Sequence, residues 1–367
     1  MAMVGHGTTG QGSAGGLADA ASAPAYLRTG TFVALYALAS AAWIGYEIDE
    51  RHQDAGDFFK ALWDPRGELI PWAQTPNDWA MIATGLVVGA LALARRRVAR
   101  GAMMLLAVAL IFLSLRELVG LAASDTYREL MTGIDYGKTL IAFRVAGLLL
   151  GIAVLAEMAR VGRRPLPPFG APQQQPYGYG YPSYGAPAPQ DGYGPAYGSP
   201  VPPPMPGHRP HPGNARPGAV AAGVCLLLMG AAALGWLIYR LTQDSVYLVG
   251  GSYTADGSDA GDFFRNVVDA SHGPSVPYTF HTVALVVAPL LVGILLLQRR
   301  PAARGAALAL AFMALYIDIR GLVPVFAEGE WDAYFDTTVG TLALLTSFFT
   351  ALMEAVVIVT LPRVPEE

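Results

Sequence analysis

The stretch DAGDFFKALWD, residues 54–64, recurs as DAGDFFRNVVD, residues 259–269, at an offset of 205 positions. A second match joins RRRVARGA, residues 95–102, to RRPAARGA, residues 299–306, at an offset of 204. A third match, again at an offset of 204, pairs residues of two apolar runs: Arg116 with Arg320, Leu118 with Leu322, and Val119 with Val323. Three matches in one order predict an internal duplication. The alternative is coincidence between two apolar halves of simple composition.

The composition predicts a membrane protein. Hydrophobic residues make up 53% of the 367 residues and charged residues only 14%, against about 25% charged in soluble domains. Several apolar runs reach the length of about 20 residues that a spanning helix needs. The net charge of −4 gives no reason to expect a nucleic-acid partner. The single cysteine, Cys225, excludes a disulfide framework within one chain. The excess of arginine over lysine, with abundant Ala, Gly and Pro, is typical of a bacterial genome rich in G and C.

We predict eight transmembrane helices, four in each half of the chain. Their approximate bounds are 29–46, 79–95, 101–121, 139–160, 218–240, 279–298, 304–325 and 338–361. Arginines crowd the second and sixth connections and the end of the fourth span: Arg95, Arg96, Arg97, Arg100, Arg299, Arg300, Arg304, Arg160, Arg163 and Arg164. Short cytoplasmic loops collect Lys and Arg. We therefore expect both termini in the cytoplasm of a bacterial cell and the spans in its plasma membrane.

The predicted fold class is an all-α polytopic membrane protein built from two parallel four-helix repeats. Because four spans are an even number, both copies enter the membrane in the same direction, related by a pseudo-twofold axis along the membrane normal. The predicted domains are a flexible cytoplasmic tail over 1–28, the first four-span repeat over 29–164, a linker over 165–217, the second repeat over 218–362 and a cytoplasmic tail over 363–367. The N-terminal residues lack the basic and apolar regions of a signal peptide.

Residues 165–217 are rich in Pro, Gly and Tyr and have no apolar periodicity. Such a segment cannot bury a core, so we predict a disordered cytoplasmic linker with local polyproline II character. It serves either as a tether between the repeats or as a docking segment for a cytoplasmic partner, in which the tyrosines make the contacts.

The repeated phrase predicts the same short helix at the outer surface in each half. Its aromatic residues fall on one face and are expected at the membrane interface: Phe58, Phe59 and Trp63 in the first copy, Phe263 and Phe264 in the second. Asp57 and Asp262 stand where N-caps are expected. Together with Asp54 and Asp259 they make the outer loops acidic. Such loops either solvate two separate helices or attract cations to an outer vestibule.

Charged residues inside apolar runs are costly in lipid and are therefore candidate functional residues. Five are candidates for a polar path or for ion pairs between helices: Arg116, Glu117, Arg144, Asp318 and Arg320. Arg144 is expected to pair with Glu117 or Asp135. Glu157 and Glu354 lie late in their spans, and we expect them to extend to the cytoplasmic interface, toward nearby arginines.

The sequence contains no motif of a common enzyme class: no HExxH zinc motif, no G-x-S-x-G nucleophile elbow and no Walker A loop. No cofactor or metal is expected, because only His281 lies near a span and no second histidine accompanies it. Sparse intramembrane charge and the linker favour a non-enzymatic scaffold or accessory subunit that binds a cytoplasmic or membrane protein partner through its linker or outer loops. The alternative is a secondary transporter or channel-like protein with a polar path between the two repeats.

Overall fold

The computed structural model describes residues 22–50, 54–63, 76–133, 137–161, 217–242, 276–300, 302–329 and 331–361. These residues are 93% helical and contain no strand. Their helices are, in chain order, α1 Ala23–Glu50, α2 Ala55–Trp63, α3 Pro76–Leu93, α4 Val98–Ala123, α5 Asp125–Gly133, α6 Gly137–Val161, α7 Pro217–Thr242, α8 Val276–Leu297, α9 Ala303–Glu328, α10 Trp331–Phe335 and α11 Thr338–Thr360.

Within the described residues, six helices are long and apolar enough to cross a membrane: α1, α4, α6, α7, α9 and α11. The apolar parts of α3 and α8 are shorter and cover Asp78–Leu93 and Thr282–Leu297. Large apolar side chains such as Phe32, Leu149 and Leu352 face outward, as a surface covered by lipid requires. An all-helical chain of this kind has the character of a polytopic membrane protein, because a helix satisfies its own backbone polar groups.

Several helices extend beyond the predicted spans. The helix predicted over 29–46 runs from Ala23 to Glu50, because hydropathy marks only the apolar part of a helix that continues into polar residues. Two short helices, α5 and α10, precede α6 and α11 and were not predicted. A hydroxyl group caps the N-terminus of α5 and that of α11. Ser124 Oγ, before α5, accepts from the backbone N–H of Tyr127 at 3.2 Å, and Thr337 Oγ1, before α11, accepts from that of Gly340 at 2.9 Å.

Helices α1, α3, α4 and α6 pack into a first bundle, and α7, α8, α9 and α11 pack into a second. Glycines set close approaches within each bundle. A Cβ atom on Gly30 of α1 would lie 3.1 Å from the carbonyl oxygen of Gly89 in α3, and one on Gly293 of α8 would lie 3.0 Å from that of Gly223 in α7. Small residues at such crossings let helix backbones approach closely, which favours helix association in lipid.

The two bundles contact each other mainly through α4 and α9, which cross at Gly101 and Gly305. A Cβ atom on Gly101 would lie 1.7 Å from the carbonyl oxygen of Ala302, and one on Gly305 would lie 1.9 Å from that of Val98. Beside the crossing, Ala309 of α9 is part of the buried core of the first bundle. The described part of this interface is therefore built from small and apolar residues.

The turns before α4 and α9 have the same backbone geometry. Arg95 and Arg299, 204 positions apart, adopt positive φ angles of 55° and 59°. The backbone N–H of Arg95 donates to the carbonyl oxygen of Ala92 at 2.8 Å, and that of Arg299 donates to the carbonyl oxygen of Leu296 at 2.9 Å. A positive φ is uncommon for a residue with a Cβ atom, and among the described residues other than glycine it occurs at these two positions alone.

Matching side-chain contacts also recur at the ends of the last helix of each bundle. Arg100 donates from Nε to the carbonyl oxygen of Met158 at 3.0 Å, and Arg304 donates from Nη2 to that of Leu361 at 2.5 Å. These arginines satisfy carbonyl groups in the last turn of α6 and beside the last turn of α11. The offset is 204 between the arginines and 203 between the carbonyl groups.

The first helix of each bundle carries a matching aromatic pair. The rings of Trp43 and Tyr46 in α1 lie 5.6 Å apart, as do those of Trp236 and Tyr239 in α7. These pairs are related by an offset of 193 rather than 204. The connection between the first two helices is therefore longer in the second half by 11 residues, as the two offsets require.

Helix α2, the first copy of the repeated phrase, packs on the second bundle: the hydroxyl of Tyr316 in α9 donates to the carbonyl oxygen of Leu62 at 2.7 Å. The prediction of Asp57 as the N-cap is wrong, because α2 begins two residues earlier. Asp54 caps the helix instead, accepting from the backbone N–H of Gly56 through Oδ1 at 2.6 Å.

The aromatic side chains of α2 that the structure describes are exposed. Phe59 is 55% and Trp63 52% exposed, so they are available to an interface with lipid headgroups. The side chain of Phe58 lies outside the described residues, as do all the predicted residues of the second copy: Asp259, Asp262, Phe263 and Phe264.

Candidate functional site

A cavity of about 340 Å³ lies inside the second bundle. All four helices line it: Met229, Ala233 and Trp236 from α7, Thr282, Leu285 and Pro289 from α8, Ala314, Ile317 and Asp318 from α9, and Ala343, Thr346, Ser347, Thr350 and Glu354 from α11. The walls combine apolar side chains with two carboxyl groups and a row of hydroxyl groups on α11. A mostly apolar cavity with a few polar groups is the usual make-up of a small-molecule site.

The two carboxyl groups of this cavity are incompletely bonded. Glu354 is 1% exposed, and its Oε2 atom is buried without a hydrogen-bond partner. Asp318 faces the same cavity from α9, and its Oδ2 atom is likewise buried without a partner. None of the described residues that line the cavity carries a positive charge. A buried carboxylate without a partner is costly, and a bound proton or cation would remove that cost.

The expected position of Glu354 at the cytoplasmic interface is wrong. Ser347, Thr350 and Glu354 follow one another at i, i+3 and i+7, so they share one face of α11 and point into the bundle. This spacing was present in the sequence and could have revealed the site. Glu157 does reach a partly exposed position, where it lies 3.3 Å from Nη2 of Arg28 in α1 rather than beside the arginines that end its own helix.

The hydroxyl groups of α11 donate to carbonyl oxygens of their own helix, and Thr350 also makes a side-chain hydrogen bond with Asp318 of α9. Thr346 donates to the carbonyl oxygen of Leu342 at 2.7 Å, Ser347 to that of Ala343 at 3.2 Å, and Thr350 to that of Thr346 at 3.0 Å. Trp236 fixes this row from α7 by donating from Nε1 to Thr346 Oγ1 at 3.1 Å. The oxygens retain lone pairs that can accept from a ligand.

Pro289 lies inside α8 and lines the same cavity. Proline has no backbone N–H, so the carbonyl group four residues earlier, that of Leu285, lacks the helical donor it would otherwise have. Leu285 also lines the cavity. The site thus combines carboxyl, hydroxyl and carbonyl oxygens, which suit a cation or a protonated ligand.

The first bundle has a smaller cavity of about 100 Å³. It is lined by Val33, Tyr36, Ala37, Ser40 and Trp43 from α1, Asp78, Met81, Ile82 and Gly85 from α3, Leu106, Leu110 and Leu113 from α4, and Leu140, Phe143 and Arg144 from α6. Five of its residues match lining residues of the second cavity at the offset of 204: Asp78 with Thr282, Met81 with Leu285, Gly85 with Pro289, Leu110 with Ala314, and Leu113 with Ile317. Corresponding positions therefore line a cavity in each bundle.

Two large side chains, Tyr36 and Arg144, make the first cavity smaller. Tyr36 stacks on Phe143 with ring centroids 4.6 Å apart. The Tyr36 hydroxyl fills the space beside Gly147, since it would lie 2.6 Å from a Cβ atom at that position. At the offset of 203, the residue of α11 that corresponds to Gly147 is Thr350. Arg144 lines the first cavity, and at the same offset Ser347 lines the second. The first cavity is therefore filled further, and its lining contains the cationic Arg144 together with the acid Asp78.

A charged cluster joins α4, α5 and α6 next to the first cavity. Glu117 accepts from Nη1 of Arg116 at 3.4 Å and lies 3.6 Å from Nη2 of Arg144. Glu117 is one of the two partners that the sequence predicted for Arg144. Tyr127 of α5 donates its hydroxyl to Oε2 of Glu117. Burial, and then the Glu117 carboxylate, raise the pKa of Tyr127 above its ordinary value. Because several donors converge on one carboxylate, the cluster has a sufficient structural role in tying the three helices together.

The five candidate charged residues do not form one group. Arg116, Glu117 and Arg144 lie together in the first bundle, whereas Asp318 lines the cavity of the second and Arg320 is not among its lining residues. Both cavities lie inside a bundle, and the crossing of α4 and α9 is closed by close contact of the backbones. In the part of the chain that the structure describes, the expected polar path between the repeats is therefore not found.

No protein-family model, no curated protein and no solved structure matches this chain. In the described ranges, no group of three or more His, Cys, Asp and Glu side chains is arranged to hold a metal ion. The two cavities and their chemistry are therefore the basis on which a function can be assigned.

Proposed function

We propose that this protein moves a monovalent cation across the membrane, as a secondary transporter or channel-like protein, and that the cation binds in the cavity of the second bundle. Glu354 supports this most directly, because it lines the cavity, is 1% exposed, and leaves its Oε2 atom buried without a hydrogen-bond partner. Asp318 lies about 22 Å along the helix axis of α9, whose length is about 39 Å. A carboxyl group near the middle of a span is where a transported cation would be bound.

A purely structural role accounts for these acids poorly. A charged side chain at the centre of a membrane helix costs about 2.5–3.5 kcal/mol on insertion scales. In the first bundle, Glu117 offsets such a cost through Arg116, Arg144 and Tyr127. The acids of the second bundle have no cationic partner among the described lining residues. A bound cation, or the proton that it displaces, would offset the cost of burying these acids.

We further infer that the chain has eight spans, arranged as two parallel four-helix repeats. The matched turns at Arg95 and Arg299 and the two corresponding cavities support a duplication. The 18 residues of α3 extend about 27 Å, close to the hydrocarbon thickness of about 30 Å, so α3 and α8 qualify as short spans. The arginine-rich turns favour cytoplasmic termini and a cytoplasmic linker in a bacterial plasma membrane.

The scaffold or accessory function that the sequence favoured stays a prediction. It depends chiefly on residues 165–217, which lie outside the described residues. A pull-down that compares the full-length protein with a variant lacking these residues tests it. Loss of a specific partner would support the docking role, and an unchanged set of partners would contradict it.

Uptake of cations by purified full-length protein in proteoliposomes tests the proposed function. The amount of a labelled monovalent cation taken up down its gradient should exceed that of protein-free liposomes. We expect Glu354→Gln and Asp318→Asn to reduce the rate of uptake at least tenfold. Glu157→Gln is the matched control, because Glu157 is partly exposed and pairs with Arg28; its rate should stay within twofold of the wild type. Absence of uptake for Na⁺, K⁺, ammonium and benzyltrimethylammonium ions alike, or equal rates in all variants, would contradict the proposal.

A further inference from the structure

We propose that the cavity of the second bundle binds a small organic cation in exchange for a proton that Glu354 and Asp318 share. This inference rests on the proposed cation transport and names both the class of substrate and the coupled ion. It starts from three observations: the size of the cavity, the apolar character of its walls, and two buried acids with unpartnered oxygens.

The size of the cavity favours an organic cation over a metal ion. A volume of about 340 Å³ falls in the range of small-molecule sites, and a bare alkali ion would leave most of it empty. Met229, Leu285 and Ile317 offer apolar walls for the body of such a ligand. The carboxyl groups come from two helices that pack against each other, α9 and α11, and Trp236 adds an aromatic ring that can attract a cationic group.

The surroundings of the two acids favour a shared proton in the empty site. Glu354 on α11 and Asp318 on α9 are the titratable residues in the described lining. Neither α7 nor α8 adds a titratable group there, and the buried thiol of Cys225 on α7 is not part of the lining. Two carboxyl groups in a site of low dielectric resist simultaneous ionisation, so the pair keeps one proton on one of its two acids.

Exchange of the proton for the ligand balances charge. When the cation enters, the O–H bond of the shared proton breaks and the proton passes to solvent, while both carboxylates face the cation. The pair carries a net charge of −1 before exchange, and the pair with its ligand carries −1 after it. Binding therefore releases one proton for each cation bound.

The corresponding cavity of the first bundle lacks the two acids that have no cationic partner. Arg144 stands there at the position of Ser347, and its positive charge offsets that of Asp78, the acid in the same lining. The volume of about 100 Å³ is also smaller. Despite two matching cavities, one chain should therefore bind one organic cation.

Isothermal titration of the full-length protein in detergent with benzyltrimethylammonium tests the inference. We expect one site per chain, and release of one proton when the titration is repeated in two buffers of different ionisation enthalpy. Affinity should rise with pH, by up to about tenfold per pH unit while the pair holds its proton, because proton and cation compete. Neopentylbenzene, the uncharged molecule of nearly the same shape, should show no saturable binding.

Two variants separate the site from general effects on folding. Glu354→Gln should weaken binding at least tenfold and abolish proton release. Ala233→Phe leaves both acids in place but fills the cavity, and it should also weaken binding at least tenfold. Binding without proton release, binding unchanged in both variants, or no binding by folded wild-type protein would overturn the inference. Uptake of Na⁺ that depends on Glu354, without binding of benzyltrimethylammonium, would overturn it while leaving the proposed cation transport intact.

Discussion

Adding a methyl group at the crossing of α4 and α9 should separate the two bundles. In Gly101→Ala the new Cβ atom would lie 1.7 Å from the carbonyl oxygen of Ala302, and in Gly305→Ala it would lie 1.9 Å from that of Val98. Both obstacles are backbone atoms, so no side-chain rotation relieves the clash. The helices would have to move apart by about 1.5 Å to restore ordinary contact distances. Overpacking of this kind costs about 1–3 kcal/mol, and we expect a value near the upper end.

The free energy of unfolding, measured by titrating the full-length protein in mixed micelles with SDS, checks this prediction. Gly235→Ala is the matched control, because a Cβ atom on Gly235 would meet nothing within 4 Å. As alanine is the better helix former by about 0.5–1 kcal/mol, the control should be neutral or stabilising. The double variant, with alanine at both Gly101 and Gly305, should lose less stability than the two single variants lose together, since the first methyl group already separates the helices. Equal stability of all three single variants would refute the close crossing.

Two further predictions concern buried polar groups. Glu354→Leu should stabilise the protein by about 1–3 kcal/mol, because it removes a buried unsatisfied group. The stability of the control Glu157→Leu should stay within about 0.5 kcal/mol of the wild type. Destabilisation by Glu354→Leu in thermal unfolding would contradict the unpartnered state of this residue. Tyr127→Phe should lower the free energy of unfolding by about 1.5–3 kcal/mol, because it removes a hydrogen bond to a carboxylate. The control Tyr46→Phe should change it little, because Tyr46 is 46% exposed. Since the pKa of Tyr127 is raised in the folded state, its contribution is fully present below the unfolded pKa of about 10. That contribution is lost as pH rises through the folded pKa, so an unfolding difference between wild type and Tyr127→Phe that grows above pH 10 would contradict the assigned hydrogen bond.

The sequence predicted the helical membrane character because long apolar runs with few charges are the length and composition that a spanning helix requires. The bounds of α1 were underestimated, because polar residues at its ends continue the helix without adding to the apolar signal. The short helices α5 and α10 were missed for a related reason. The five residues of α10 are too few to show a period. The nine residues of α5 are as many as those of α2, but they are largely polar, so they add nothing to the apolar signal of the spans.

The sequence showed only part of the correspondence between the two halves. Offsets of 204 and 205 relate the arginine-rich turns and the repeated phrase, whereas the aromatic pairs of α1 and α7 are related by 193 positions. In α6 and α11 the corresponding positions are 203 apart and carry different side chains, such as Arg144 and Ser347. These correspondences become visible only from the contacts that the helices make.

The candidate site was half predicted. Asp318 was chosen because a charged residue in an apolar run is costly. Glu354 was assigned to the interface because it lies six residues before the end of its helix, and depth alone does not tell which face a residue occupies. Its direction depends on the neighbouring helices, and the hydroxyl residues Ser347 and Thr350 at helical spacing were the available clue.

Labelling of Glu354 by a hydrophobic carbodiimide tests the central claim most directly. Such reagents attack protonated carboxyl groups in apolar surroundings, and mass spectrometry locates the adduct on the full-length protein. We predict an adduct on Glu354 that forms more slowly at high pH and in the presence of benzyltrimethylammonium, with little reaction at the ion-paired Glu157. Absence of an adduct on Glu354, or a labelling rate independent of both pH and the cation, would contradict a protonated, ligand-accessible acid inside the second bundle.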